Sequence, residues 1–327
     1  MNAVTDNARA RQAAPRRGFR ALGAALGAAL QWRLLLLWLL ATLVPAMLAV
    51  LPLGSALQAQ FGHSVHAGEI ASGERLGLLL QGLGKLGEHA FGVVSSGMLA
   101  TSVLMLLLMP FLQAMVVASL RAGRRLGFGE LVAGGCGEYW RMLRMVLWSI
   151  VPLGIALVFA GAVMGLATKS TEHAILAADV ESAFRLALCA AAVVFVVLHA
   201  SVEAGRGWLG ADTGLRSVLR AWWRGLKLLL RRPLATLGVY LGATVLGLLV
   251  ALLFAWLRLR MDGTGAGAYL LGIVLTQGIV LAIAWGRIAR LYGLADLAAD
   301  AIARKHQAPA APVARTGTTE PLPSPST

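Results

Sequence analysis

The sequence predicts an all-α, polytopic membrane protein: six transmembrane helices in three hairpins, each preceded by an amphipathic interfacial helix. Three observations carry that reading. Mean hydropathy is +0.74, with 58% hydrophobic and only 13% charged residues, a composition that excludes an ordinary soluble domain. Six apolar runs meet the requirement of roughly 20 residues for a hydrocarbon core of about 30 Å. The cations are also sorted along the chain. The N-terminal lead, 121–144, 206–232 and the segment from Arg287 onward hold 23 of the 29 Lys and Arg residues. Alternate connectors hold only Arg75, Lys85, Lys169, Arg185, Arg258 and Arg260. By the positive-inside rule this split puts both termini in the cytoplasm, in a bacterial inner membrane, and requires an even number of spans.

Taken in order, residues 1–15 are a basic, disordered N-terminus, and Arg16 to Trp32 suits a short helix on the membrane surface. The first span is 34–54, LLLLWLLATLVPAMLAVLPLG. It is longer than the roughly 7–15 apolar residues of a secretory signal, so an uncleaved anchor is expected. Residues 55–90 are a polar connector with an amphipathic piece from Leu76 to Leu86. Span two is 92–119, where Pro110 marks a kink. The others are 145–167, 184–203, 234–256 and 269–290, so one membrane domain covers 16–306. The tail 307–327, rich in Pro, Ser, Thr and Ala, should be disordered.

The connector 203–233 organises the rest. On a helical wheel Arg216, Arg220, Arg224, Lys227 and Arg231 fall in one stripe roughly 80° wide, at about 100° per residue. Leu215, Val218, Leu219, Trp222, Trp223, Leu226 and Leu229 cover the neighbouring arc. Such a helix lies in the membrane interface with its cations among the headgroups. Arg141 and Arg144 extend that surface. A net charge of +14 could signal nucleic acid, but the cations sit beside apolar runs. Anionic lipid is the expected partner, at about 1 kcal/mol per Lys or Arg near the surface, and nucleic acid is not.

An internal repeat accompanies the charge pattern. Ala122-Gly123-Arg124 recurs as Ala204-Gly205-Arg206, Leu126-Gly127 as Leu209-Gly210, and Trp140-Arg141 as Trp223-Arg224, at an offset of about 83 residues. Trp32-Arg33 repeats the last signal before span one. The hairpins are then 16–91, 128–203 and 213–290. Convergent anchoring by Trp and Arg at the interface is the competing explanation.

Groups able to carry chemistry are few. His199 and Glu203 lie one turn apart near the inner end of span four. They form either a proton-linked or substrate-binding pair, or an interfacial pair with Glu203 bonded to Arg206. The second reading is favoured, because no carboxylate sits near mid-membrane. Thr101, Ser102, Gln113, Thr244, Thr276 and Gln277 suit hydrogen bonds between helices. In the first outer connector His63, His66 and Glu69 could bind zinc if one conformation aligned them, but a solvated loop is the default and no cofactor is expected. Cys136 and Cys189 suggest neither a disulfide nor a thiolate site. Gly161-xxx-Gly165 and Gly238-xxx-Gly242 read as close-packing signals.

With its six spans, amphipathic lead-in helices and the stretch RSVLRAWWRGLKLLLRRPLATLGVYL (216–241), the chain resembles a broad group of poorly characterised bacterial integral membrane proteins. Its layout over about 16–300 is similar to the membrane domain attached to some glycerophosphodiester phosphodiesterases. The acid and histidine residues of those enzymes' catalytic barrel have no counterpart here, so the resemblance implies no phosphodiesterase activity. Three functions follow from the sequence. The leading one is a structural or accessory membrane protein, without evident catalysis, that contacts anionic lipid, a membrane partner or its own copies. The second is a small-solute transporter or channel with a polar path among spans two, four and six, which requires His199, Gln113 and Gln277 to face one cavity. The third is a lipid-modifying enzyme, which requires His63, His66 and Glu69 to converge.

Overall fold

The computed structural model describes residues 18–66, 69, 77–78, 81, 84, 88–174, 176–261 and 265–307. Among them the chain forms eight helices: α1 (Gly18–Ala28), α2 (Trp32–Phe61), α3 (Glu88–Ala122), α4 (Phe128–Ser170), α5 (Ala177–Ala211), α6 (Val218–Arg231), α7 (Pro233–Leu259) and α8 (Ala266–Gln307). Six of these, all but α1 and α6, are long and apolar enough to cross a membrane. Residues 1–15, 308–327 and most of the Leu76–Leu86 piece lie outside the described residues.

The expected spans are the central parts of longer helices. At 43 residues, α4 runs for roughly 65 Å, about twice a hydrocarbon core. The separate interfacial helix expected before span three does not occur, because 128–144 continues into 145–170 without a break. Its glycines serve packing instead: Gly134 meets Ala118, and Gly135 meets Met115 and Phe111, so α4 lies close along α3. Only α1 and α6 stand apart as lead-in helices. A real break separates α6 from α7, where Arg232 leaves helical geometry (φ −140°, ψ 61°) and Pro233 opens the next helix. Gly123 ends α3 with φ 61°, a conformation glycine adopts without cost.

The helices converge at the end that carries the basic connectors. Leu112 to Val117 of α3, Ala200 to Gly207 of α5 and Ile288 to Ala298 of α8 are largely buried there. Ala21, Ala25 and Ala29 of α1 complete that core with Leu34 and Trp38 of α2. Small residues let the backbones approach. A Cβ on Gly207 would meet the backbone of Leu294 and Ala295, one on Gly225 that of Ala204 and Gly205, and one on Gly247 that of Gly286. The expected close-packing motifs are not the ones used. Gly161, Gly165 and Gly238 face open space, and Gly242 meets only the Leu22 side chain. Polar ties close the same end: Ser119 donates to Gln31 Oε1 at 2.9 Å and lies 2.8 Å from Tyr292 Oη, while Trp285 Nε1 donates to the Leu26 carbonyl at 3.0 Å.

At their other ends the same helices expose apolar side chains, among them Leu51, Leu99, Val158, Leu186, Leu252 and Leu270. Apolar helix surface of this extent suits a hydrocarbon surround and not water.

Many arginines at the packed end are committed to protein groups. Arg121 pairs with Glu138 and donates to the Leu209 and Gly210 carbonyls, closing the α5 terminus. Arg33 donates to the Leu126 carbonyl, Arg141 to the Leu215 carbonyl, and Arg224 to Asp212. In all three Trp-Arg dipeptides the indole of Trp32, Trp140 or Trp223 is more than half exposed while the arginine turns inward.

Candidate functional site

A cavity of about 540 Å³ lies between α3, α5, α7 and α8. Its size falls within the range of roughly 300–1,000 Å³ typical of ligand pockets. The α5 segment His199-Ala-Ser-Val-Glu203-Ala-Gly-Arg206 supplies one wall. Helical spacing of four and three puts His199, Glu203 and Arg206 on one face. From α8 come Arg287 and Arg290, from α7 Thr244, and from α3 Gln113.

Glu203 is the hub. One carboxylate oxygen accepts a hydrogen bond from Arg206 Nη1 and lies 3.9 Å from His199 Nε2. The other stands 3.3 Å from Arg290 Nε, close enough for an ion pair. Arg290 also donates to Thr244 Oγ1 at 3.2 Å and stacks over the Tyr240 ring, 5.2 Å from its centroid. His199 Nδ1 is 2.8 Å from Tyr240 Oη, which fixes the imidazole against α7. These contacts place two guanidinium groups on one carboxylate.

Arg287 is left over. It is exposed, it lines the cavity, and among the described residues it has no ion pair. Its hydrogen bond goes to the Met109 sulfur at 3.4 Å, a weak acceptor. The cavity therefore holds three guanidinium groups against the single carboxylate of Glu203. Three buried polar atoms at its edge, Gln113 Oε1, Arg206 Nε and Arg290 Nε, lack a hydrogen-bond partner among the described residues, the last being ion-paired with Glu203. Burying such atoms unsatisfied is costly; an anion would satisfy the guanidinium N–H donors, whereas Gln113 Oε1, an acceptor, calls for a donor. The arrangement can hold an anion.

The residues expected from the sequence fall into three places. His199 and Glu203 face the cavity, and the expected Glu203–Arg206 bond forms within it. Gln113 joins them but Gln277 does not line the cavity, so the condition set for a polar path among spans two, four and six is not met; Thr244 of α7 lines it instead. Of the headgroup surface, Arg216, Arg220, Lys227, Arg231 and Arg144 are exposed, whereas Arg141 and Arg224 are held by Glu138 and Asp212. In the outer connector His66 Nδ1 lies 3.2 Å from Glu69 Oε2, and His63 is exposed. Among the described residues no three His, Cys, Asp or Glu side chains converge as a metal site, and Cys136 and Cys189 are free. Sequence reasoning missed Arg287 and Arg290, which it counted only as topology signals. The available signal was their spacing of three, immediately after Gly286 in an apolar run.

Six apolar helices around a cationic cavity mark this chain as a multi-pass membrane protein. No protein-family model matches the sequence, and neither a curated protein nor a solved structure matches it.

Proposed function

We propose that this protein binds an anion within the membrane, at a site between spans two, four, five and six. The observation that carries this is Arg287, a cavity-lining guanidinium with no ion pair among the described residues, beside the Arg206–Glu203–Arg290 cluster. An anion about 4 Å from one such charge gains on the order of 4 kcal/mol at an effective dielectric of about 20. Arginine also offers paired donors that match phosphate and carboxylate oxygens.

The threading belongs to the same reading. The concentration of Lys and Arg in alternate connectors favours both termini in the cytoplasm of a bacterial inner membrane, with the helices paired as hairpins. The exposed Arg220, Lys227 and Arg231 of α6 lie near the exposed Leu219, Trp223 and Leu230, and Lys227 stands 5.5 Å from the Trp223 ring centroid. That mixture supports α6 resting among anionic headgroups, the accessory role expected from the sequence.

The test is thermal unfolding of the full chain in mild detergent, titrated with inorganic phosphate as the probe. A saturable rise in melting temperature is expected, with the apparent affinity falling about tenfold in Arg287→Gln, the loss of one charge-assisted contact. Wild-type protein that shows no saturable, Arg287-dependent response to phosphate overturns the proposal.

A further inference from the structure

Resting on the anion-binding reading, we infer that the anion is the phosphate-bearing head of a membrane lipid, which enters the cavity sideways from the bilayer. The order of the lining residues along three helices carries this. Met109, Thr244 and Arg287 stand at the level of the polar cluster on α3, α7 and α8. Leu106, Leu248 and Ile283 line the same cavity three or four residues away. Because α7 runs opposite to α3 and α8 between the basic and non-basic ends, all three steps lead toward the end with exposed apolar side chains.

Those three residues also belong to the outer surface: Leu106 is 53%, Leu248 49% and Ile283 38% exposed. The apolar wall of the cavity is thus continuous with the lipid-facing surface of the helices. A dissolved ion would meet that rim across hydrocarbon, where charge is excluded. A lipid satisfies both levels at once. Its phosphate reaches Arg287 and Arg290, and its acyl chain leaves past Leu106, Leu248 and Ile283 into the bilayer. Head toward the basic end and tail toward mid-membrane is the orientation of a lipid in the leaflet nearest the basic connectors. Arg206 strengthens the case, because its side chain is 9% exposed, lines the cavity and has an unpartnered Nε.

The experiment places the full chain in phosphatidylcholine nanodiscs doped with phosphatidic acid that carries a diazirine on its acyl chain. Photocrosslinks should map to the neighbourhood of Leu106, Leu248 and Ile283, and Arg287→Gln should reduce them about tenfold. Leu248→Trp, which crowds the apolar rim of the cavity, should reduce the crosslinks as well. Monodisperse elution and wild-type melting of each variant establish that it is folded. If phosphate binds in an Arg287-dependent way but the lipid probe does not crosslink in the cavity, the lipid inference falls and anion binding stands. If neither probe depends on Arg287, both fall.

Discussion

The Glu203 side chain, 5% exposed, is enclosed by two arginines and a histidine from its own helix and from α8. Its carboxylate is stable there only because those partners replace the water it has lost. Removing it leaves Arg206 and Arg290 facing one another at the cavity wall. Glu203→Ala should therefore destabilise the protein by about 3–5 kcal/mol, read as earlier unfolding in detergent. Glu181→Ala breaks an exposed i,i+4 pair with Arg185 and should cost no more than about 1 kcal/mol. Equal losses at the two positions would show that Glu203 is not the hub. The same contrast separates Arg287 from Arg290. Both line the cavity, but Arg290 is bound by Glu203, Thr244 and the Tyr240 ring, whereas Arg287 holds only a thioether.

At the scale of elements, the crossing of α5 and α6 is set by glycine more than by charge. Trp222 Nε1 donates to Ser201 Oγ at 3.0 Å, and a Cβ at Gly225 would lie 2.4 Å from the Gly205 backbone nitrogen. Backbone cannot rotate away as a side chain can, so Gly225→Ala should cost about 1–3 kcal/mol of stability. Gly238→Ala, on the neighbouring helix with nothing within 4 Å, should be neutral or slightly stabilising. Denaturant midpoints of the two variants in one detergent measure the difference, and a neutral Gly225→Ala would refute the tight crossing. Because α5 also carries His199, Glu203 and Arg206, this crossing holds one wall of the cavity in register.

Across the whole molecule, tight packing at one end and exposed apolar ends at the other give the bundle a direction. With six spans and the basic connectors at the packed end, cysteine introduced for Arg220 should react only with a membrane-permeant reagent in intact cells. Cysteine introduced for Glu172, in the exposed α4–α5 connector, should react with an impermeant one. Replacing Cys136 and Cys189 first gives a clean background, since both are exposed. The reverse labelling pattern would invert every assignment of face.

The sequence by itself determined the helical class, the number of helices long and apolar enough to span and the grouping of the cations, because hydropathy over about 20 residues and charge between runs are local properties. It also marked His199 and Glu203, because an ionisable pair inside an apolar run is visible without any fold. Helix ends were less legible: α8 continues through Ile288, Leu291, Leu294 and Leu297, whose burial depends on α1, α5 and α7 meeting them. Which arginines are structural and which are free could not be read from the chain, since Arg141 and Arg287 look alike in sequence. The partners that separate them, Glu138 and the Leu215 carbonyl for one, the Met109 sulfur and a cavity for the other, lie on different helices. Only the tertiary structure brought them together, because a binding site between spans is made by contacts that sequence separation conceals.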